Sequence, residues 1–243
     1  MENIPDTAGS RRILFLGADC AVVNKAIGET CETGERDKGH SVVEAVRAEL
    51  ERLAGKPLPE LAAVHRIDQP VSGCVLLAYT GKSCAALSEQ FSDRRVKKLY
   101  RAIVEIPPQG FPASTGTLEH RIRFDRLAAR ARVLPLSETP RSPGWKAAAL
   151  EWTLVGLGES YGFLEVLPHT GRTHQIRAQL AAVGMPIKGD LKYGARRSER
   201  SGGIRLHAAR LAFRDVGTGE YVSVEAPVNN PDPLWLAFPG TTT

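Results

Sequence analysis

Apolar positions along the chain change period several times, and each change marks an element. ILFLGADCAVVNK (13–25) is a pair of apolar runs around Gly-Ala-Asp, which predicts two short strands joined by a turn. GETCETGERDKGH (28–40) is polar and glycine-punctuated, hence loop. Val43, Val46, Leu50 and Leu53 then recur at helical spacing. Ser41 and Glu44 form an S-x-x-E capping box before them, and Gly55 with Pro57 ends the helix. VLLAYT (75–80) is a continuous apolar run and predicts a strand. SCAALSEQFSDRR (83–95) follows as a helix with Leu87 and Phe91 one turn apart, and LYRAIVEI (99–106) as a strand.

Residues 107–146, rich in Pro, Gly and Arg, carry no readable period. Beyond them, AAALEWTLVGL (147–157) and YGFLEVLPH (161–169) predict a hairpin across Gly-Glu-Ser. HQIRAQLAAVG (174–184) predicts a short helix with Ile176, Leu180 and Val183 as its apolar stripe, Thr173 as N-cap, and Gly184 with Pro186 as its end. IRLHAARLAF (204–213) and YVSVEAPV (221–228) make another hairpin around Gly217 and Gly219. Strands dominate and hairpins require antiparallel pairing, so the expected class is α+β with a mainly antiparallel sheet.

Composition narrows the partners. The 243 residues are 42% apolar and 24% charged, an ordinary globular balance, but the net charge of +5 leans toward polyanions. The basic residues gather in RRVKKLYR (94–101), RIRFDRLAARAR (121–132) and KGDLKYGARRSER (188–200), two of them with a tyrosine, Tyr100 and Tyr193. Basic side chains interleaved with tyrosine suit a phosphate backbone and a stacked base, although such runs also occur as solvated faces. Cys20, Cys31, Cys74 and Cys84 show no C-x-x-C spacing, which argues against a zinc site or a disulfide framework and for reduced thiols. MENIPDTAGSRR has no apolar signal core, and runs such as CVLLAY fall far short of the ~20 residues of a membrane helix. A soluble cytoplasmic protein is expected.

Two dense clusters hold the candidate chemistry. VHRIDQPVSG (64–73) sets an imidazole, a guanidinium and a carboxylate together before a bend. Asp68 there reads either as a turn acid before Pro70 or as a carboxylate that acts ionised, which needs a cation within ~4–6 Å. Arg66 and Arg177 are the candidate cations. LPHTGRTHQIRAQL (167–180) turns at Thr170-Gly171 into the helix, with Arg172 at its N-terminal end, where anions are favoured. His174 and Arg177 share a face beside the apolar stripe; Arg177 is either a solvated charge with its stem over the core or the partner of a buried acid. TGKS (80–83) is no phosphate loop, because Leu76 stands where the motif needs glycine. HRID is no kinase loop, because no D-F-G accompanies it. The histidines lack metal-ligand spacing.

Taken together, these residues resemble the RluA-type pseudouridine synthases. HRIDQPVSG is similar to that family's H-R-L-D-x-x-T-S-G loop, VKKLYRAIV to its K-x-Y strand, LPHTGRTHQIRAQLAAVGMPIKGDLKYG to its T-G-R-T-H-Q-I-R block and the G-x-P-I-x-G-D-x-x-Y-G turn after it, and LHAARLAF to its L-H-A strand. The resemblance runs from about residue 13 to 228, in the family's order. It implies a mixed, mainly antiparallel bent β-sheet with peripheral helices, a single catalytic domain over 12–230 between a loose 1–11 segment and a 231–243 tail, and no S4 domain. It implies isomerisation of uridine in ribosomal or transfer RNA, with neither cofactor nor metal, no membrane, no obligate protein partner and a monomeric enzyme. Asp68 would be the catalytic carboxylate, Tyr100 would stack on the base and Arg177 would pair with Asp68. Arg66 would enter the space of the flipped-out uridine, and His65, Arg172, His174 and Gln175 would join it in binding substrate. The chain departs from the family at Asn24-Lys25-Ala26-Ile27-Gly28, which lacks the family's proline, at Ile67 and at Val71. The altered N-terminal loop bears on substrate preference. A non-catalytic RNA-binding protein on the same fold is the rival reading.

Overall fold

The computed structural model describes residues 12–32 and 40–237, so the first eleven residues and most of the 28–40 loop lie outside it. In chain order the elements are β1 (Ile13–Leu16), β2 (Cys20–Lys25), α1 (Val42–Ala54), β3 (Ala62–Ala63), β4 (Ser72–Ala78), α2 (Gly81–Ser92), β5 (Lys97–Glu105), β6 (Thr115–Asp125), β7 (Arg130–Pro135), β8 (Lys146–Leu157) and β9 (Tyr161–Pro168). They are followed by α3 (Gln175–Ala182), a 3-10 turn (Leu191–Tyr193), β10 (Leu206–Arg214), β11 (Tyr221–Glu225) and α4 (Pro233–Leu236). The described residues fall into two compact units, 12–96 with 209–237, and 97–208. Both are antiparallel sheet carrying helices, so the chain is α+β as its strand pattern predicts.

In the first unit the strand order is β1-β2-β4-β10-β11, with β3 also on β4. β2 and β4 are buried along their whole length, which is why their sequences read as apolar runs rather than alternations. Cys20 and Val22 of β2, Cys74 and Leu76 of β4, Leu87 of α2 and Phe213 of β10 form one core cluster. α1 is set by its ends: Ser41 Oγ accepts from the Glu44 N–H, and Gly55 takes the left-handed conformation that closes the helix.

The second unit orders its strands β5-β9-β8-β6-β7. β6 and β7 occupy the stretch that showed no period, and the reason is burial: along β6 only Ile122 is buried. α3 packs on this hairpin, around Ile122, Ala131, Ala148, Ala178 and Tyr193. Its start corrects one expectation. His174, not Thr173, is the N-cap, at φ 56° and with no side-chain cap. Gln175 does the work instead: its Oε1 accepts from the Arg172 N–H and from Thr170 Oγ1, and its amide donates to Ala149 O. Of the 231–243 tail, residues 231–237 are described, and there Asp232 caps α4 and Trp235 is buried. Among the described residues no helix is long and apolar enough to cross a membrane.

Gly116 on β6 lies opposite Trp152 on β8, and a Cβ there would come within 2.7 Å of the indole Nε1. Gly116→Ala is therefore expected to lower stability by about 1–3 kcal/mol, read as a fall in the urea midpoint at constant slope.

Candidate functional site

In the first unit the loop after β3 is held at almost every residue. Val64 N–H donates to Leu76 O, and the Leu76 N–H returns a bond to His65 Nε2 at 3.1 Å. That acceptor role puts the His65 proton on Nδ1. The ring stacks on Phe91 of α2, centroids 4.6 Å apart. His65 thus braces the loop. Arg66, next in the chain, is exposed.

Asp68 is part-buried, and its carbonyl accepts from the Val71 N–H to close the turn. The peptides on both sides of it are tied to the segment after β2. Before it, Cys31 Sγ accepts from the Ile67 N–H at 3.3 Å and donates to Ile67 O at 3.5 Å. After it, Gln69 exchanges bonds with Gly28, its carbonyl accepting from Gly28 N–H and its amide donating to Gly28 O. Lys25 completes the tie. Its side chain is fully buried, and Nζ donates to three carbonyls: Ala26 O at 2.9 Å, Glu29 O at 2.7 Å and Gln69 O at 3.2 Å. Burial pulls this ammonium down to about 8, while Cys31, Glu29 and Asp68 hold it up. Burial also raises the Cys31 thiol, which keeps it a neutral hydrogen-bonding group.

The second unit carries the other half of the residues singled out in the sequence. Tyr100 is part-buried on β5, opposite Val166. Arg177 is not a solvated charge: it is 5% exposed, and Nε and Nη2 grip Asp190 at 2.6 and 2.9 Å. Two parallel bonds from one planar fork fix the guanidinium in orientation as well as place. Its Cζ also lies 5.0 Å from the centre of the Tyr193 ring. The Tyr193 hydroxyl accepts from the Ala131 N–H at 2.7 Å and meets His174 Nδ1 at 2.8 Å. His174 takes the edge of Phe124. Arg172, part-buried, donates from Nε to Ala147 O.

The loop of Asp68, Arg66 and His65 is therefore one local construction, and Arg172, His174, Gln175 and Arg177 another. Sequence reasoning named neither Lys25 nor Cys31 as holding the Asp68 loop, nor Asp190 as the partner of Arg177. The signal for Asp190 was the G-D-x-x-Y-G turn, which also contains Tyr193. Among the described residues no cluster of His, Cys, Asp and Glu is arranged to hold a metal ion.

Lys25 gives a pH signature with a definite sign. Its folded-state value near 8 lies below the ordinary 10.5, so between these the unfolded chain binds more protons and stability rises with pH. Urea unfolding of wild type and Lys25→Met at about pH 7.5 and about pH 9.5 should show wild type gaining stability relative to the variant. A constant difference would mean that Lys25 does not titrate in this window.

A family model for RNA pseudouridylate synthase matches residues 19–182. An RNA pseudouridine synthase of Zymomonas mobilis is 32% identical over 230 residues, 90% of this chain and 94% of its own. A tRNA pseudouridine synthase C of Pectobacterium carotovorum is 26% identical over 229 residues, 88% of this chain and 58% of that one. A ribosomal large subunit pseudouridine synthase D of Zymomonas mobilis is 28% identical over 239 residues, 93% of this chain and 71% of that one. Among solved structures, human RNA pseudouridylate synthase domain containing 4 has a similar fold, with a TM-score of 0.73 at 21% identity over 90% of this chain and 88% of that chain. The matched segment begins ahead of the Lys25 anchor, runs through the Asp68 loop and Tyr100, and ends with α3, and by it the chain belongs to the RNA pseudouridylate synthase family.

Proposed function

We propose that this chain isomerises uridine to pseudouridine in structured RNA, transfer or ribosomal, with Asp68 as the catalytic carboxylate. The observation that carries the reading is the support around Asp68: the peptides on either side of it are bonded to the Lys25–Cys31 segment, while Arg66 beside it is exposed. A turn acid serving only its own loop needs no such hold. Relatives named for transfer RNA and for the ribosomal large subunit support the two substrate classes.

The chemistry asks for few parts. The N1–C1′ bond breaks, the freed uracil turns over, C5 joins C1′, the C5 proton leaves to solvent and N1 takes one proton up. Substrate and product are isomers, so no oxidant, reductant or group donor is consumed. Asp68 serves either as nucleophile or as base toward the sugar. A stacked uridine cannot present its sugar edge, and flipping it out costs a few kcal/mol. Tyr100 offsets part of that cost as a stacking platform, and Arg66 fills the space the base leaves. Arg177, held rigid by Asp190, is the third residue to which we assign a catalytic role. His65 in the first unit, and Arg172, His174 and Gln175 in the second, are the further residues we assign to substrate binding, Gln175 by holding the turn before α3. We assign the enzyme to the cytoplasm on the strength of relatives named for transfer RNA and the ribosomal large subunit.

Tritium release from RNA labelled at uridine C5 tests this directly, with unmodified transfer RNA and large-subunit ribosomal RNA transcripts as substrates. Wild type should release tritium from at least one, and Asp68→Asn, an isosteric change, should bind RNA and release none. Turnover by Asp68→Asn would remove Asp68 from the catalytic role. Tight binding by wild type with no release from either transcript would favour an RNA-binding protein.

A further inference from the structure

We propose that Lys98 and Gly171 form a phosphate subsite, taking a phosphodiester of the RNA strand beside the target uridine. The inference deepens the reading of this chain as a uridine isomerase and rests on it.

Lys98 lies on β5, part-buried, and makes no hydrogen bond or ion pair among the described residues. Burial lowers its affinity for a proton, and no carboxylate offsets that effect. A half-desolvated cation without a partner is costly, and a sequence under no functional demand would place an apolar or a paired residue here. Three other cations of this unit are paired with carboxylates, Arg177 with Asp190, and Lys188 and Arg205 with Glu199. Arg101 and Arg121, part-buried like Lys98, each keep a buried Nε without a partner, so what sets Lys98 apart is its place beside Gly171. Its missing partner is an anion that arrives from outside.

The place of that anion follows from Gly171. A Cβ on this residue would lie 3.8 Å from Lys98 Nζ, in the room an oxyanion would use. The backbone does not ask for glycine there, since Gly171 is not among the residues with positive φ. The small residue therefore preserves space beside the ammonium, not a turn. Gly171 is exposed, so the space opens to solvent. Arg172 follows it, anchored through Nε on Ala147 O.

Strand geometry identifies the ligand. Lys98 and Tyr100 are two residues apart on β5, hence on the same face and about 7 Å from each other along the strand. A base on the Tyr100 ring has its own backbone within that reach. An RNA phosphodiester meets both demands, one negative charge and a fixed distance from a stacked base. Such contacts position a strand without reading its sequence.

The test uses full-length wild type, Lys98→Met, Lys98→Arg and Gly171→Ala. Binding of a fluorescent ten-nucleotide oligouridylate is followed against salt. Losing one phosphate contact should reduce the slope of log K against log salt by about 0.7 for single-stranded RNA. Lys98→Met should show that reduction with affinity several-fold weaker, and Lys98→Arg should keep the wild-type slope. Gly171→Ala should lose affinity with the charge intact. On the transcript that wild type modifies, Lys98→Met should raise KM several-fold with kcat little changed. Because Met replaces an unpaired charge, its melting temperature should be unchanged or higher. An unchanged slope in Lys98→Met overturns the subsite, as does a lowered melting temperature, which would make Lys98 structural. If wild type releases no tritium from either transcript, the isomerase reading fails, while the salt slopes still decide whether Lys98 meets phosphate.

Discussion

The loop that carries Asp68 is held from behind, and the hold is a buried ammonium surrounded by carbonyl oxygens. Lys25 satisfies three of them, two in its own segment and one at Gln69. Burying a lysine costs free energy unless its donors are met, so the segment must fold around Nζ or not at all. The Cys31 thiol finishes the attachment on the other side of Asp68, using one sulfur to accept and to donate across the Ile67 peptide. The family's proline is missing after Lys25, and a web of main-chain bonds stands in the region where that stiff residue would be.

The second unit solves its own version of the problem with an aromatic ring. Tyr193 takes the Ala131 N–H of the β6–β7 hairpin and reaches His174, with Arg177 and Arg130 each 5.0 Å from its ring centre. One phenol thus ties hairpin, helix start and buried ion pair together. The Arg177–Asp190 bond is bidentate and almost fully buried, so removing either partner would strand a charge. At the far end of the hairpin Arg126, Arg130 and Arg132 are exposed, and the fully exposed Leu127 lies at its tip, whereas Arg121 and Arg123 on β6 are part-buried.

What could be read without coordinates follows from where the information is stored. α1 was legible because Ser41, Glu44 and Gly55 encode its ends within a few residues. β4 was legible because burial on both faces writes seven apolar or small residues in a row. β6 and β7 were illegible because a strand with a single buried residue keeps no period. The start of α3 was misassigned because threonine is the commoner cap, while here the Gln175 side chain had already satisfied the turn. Asp68 and its neighbours could be found through motif resemblance, but not the reason they stay in place. Lys25 looks in sequence like the polar exit of a strand, and Cys31 like an idle thiol. Only the fold brings them against the loop about forty residues on.

The contact between Gly116 and Trp152 carries a lesson about descent. The indole occupies the room that any side chain at 116 would need, so the two positions are not free to drift separately. A lineage could exchange the tryptophan for something smaller first and only then fill the glycine; the reverse order passes through a clash. The two positions, 36 residues apart in the chain, should therefore be inherited as a pair, with the order of change recorded in whichever relatives have lost one of them.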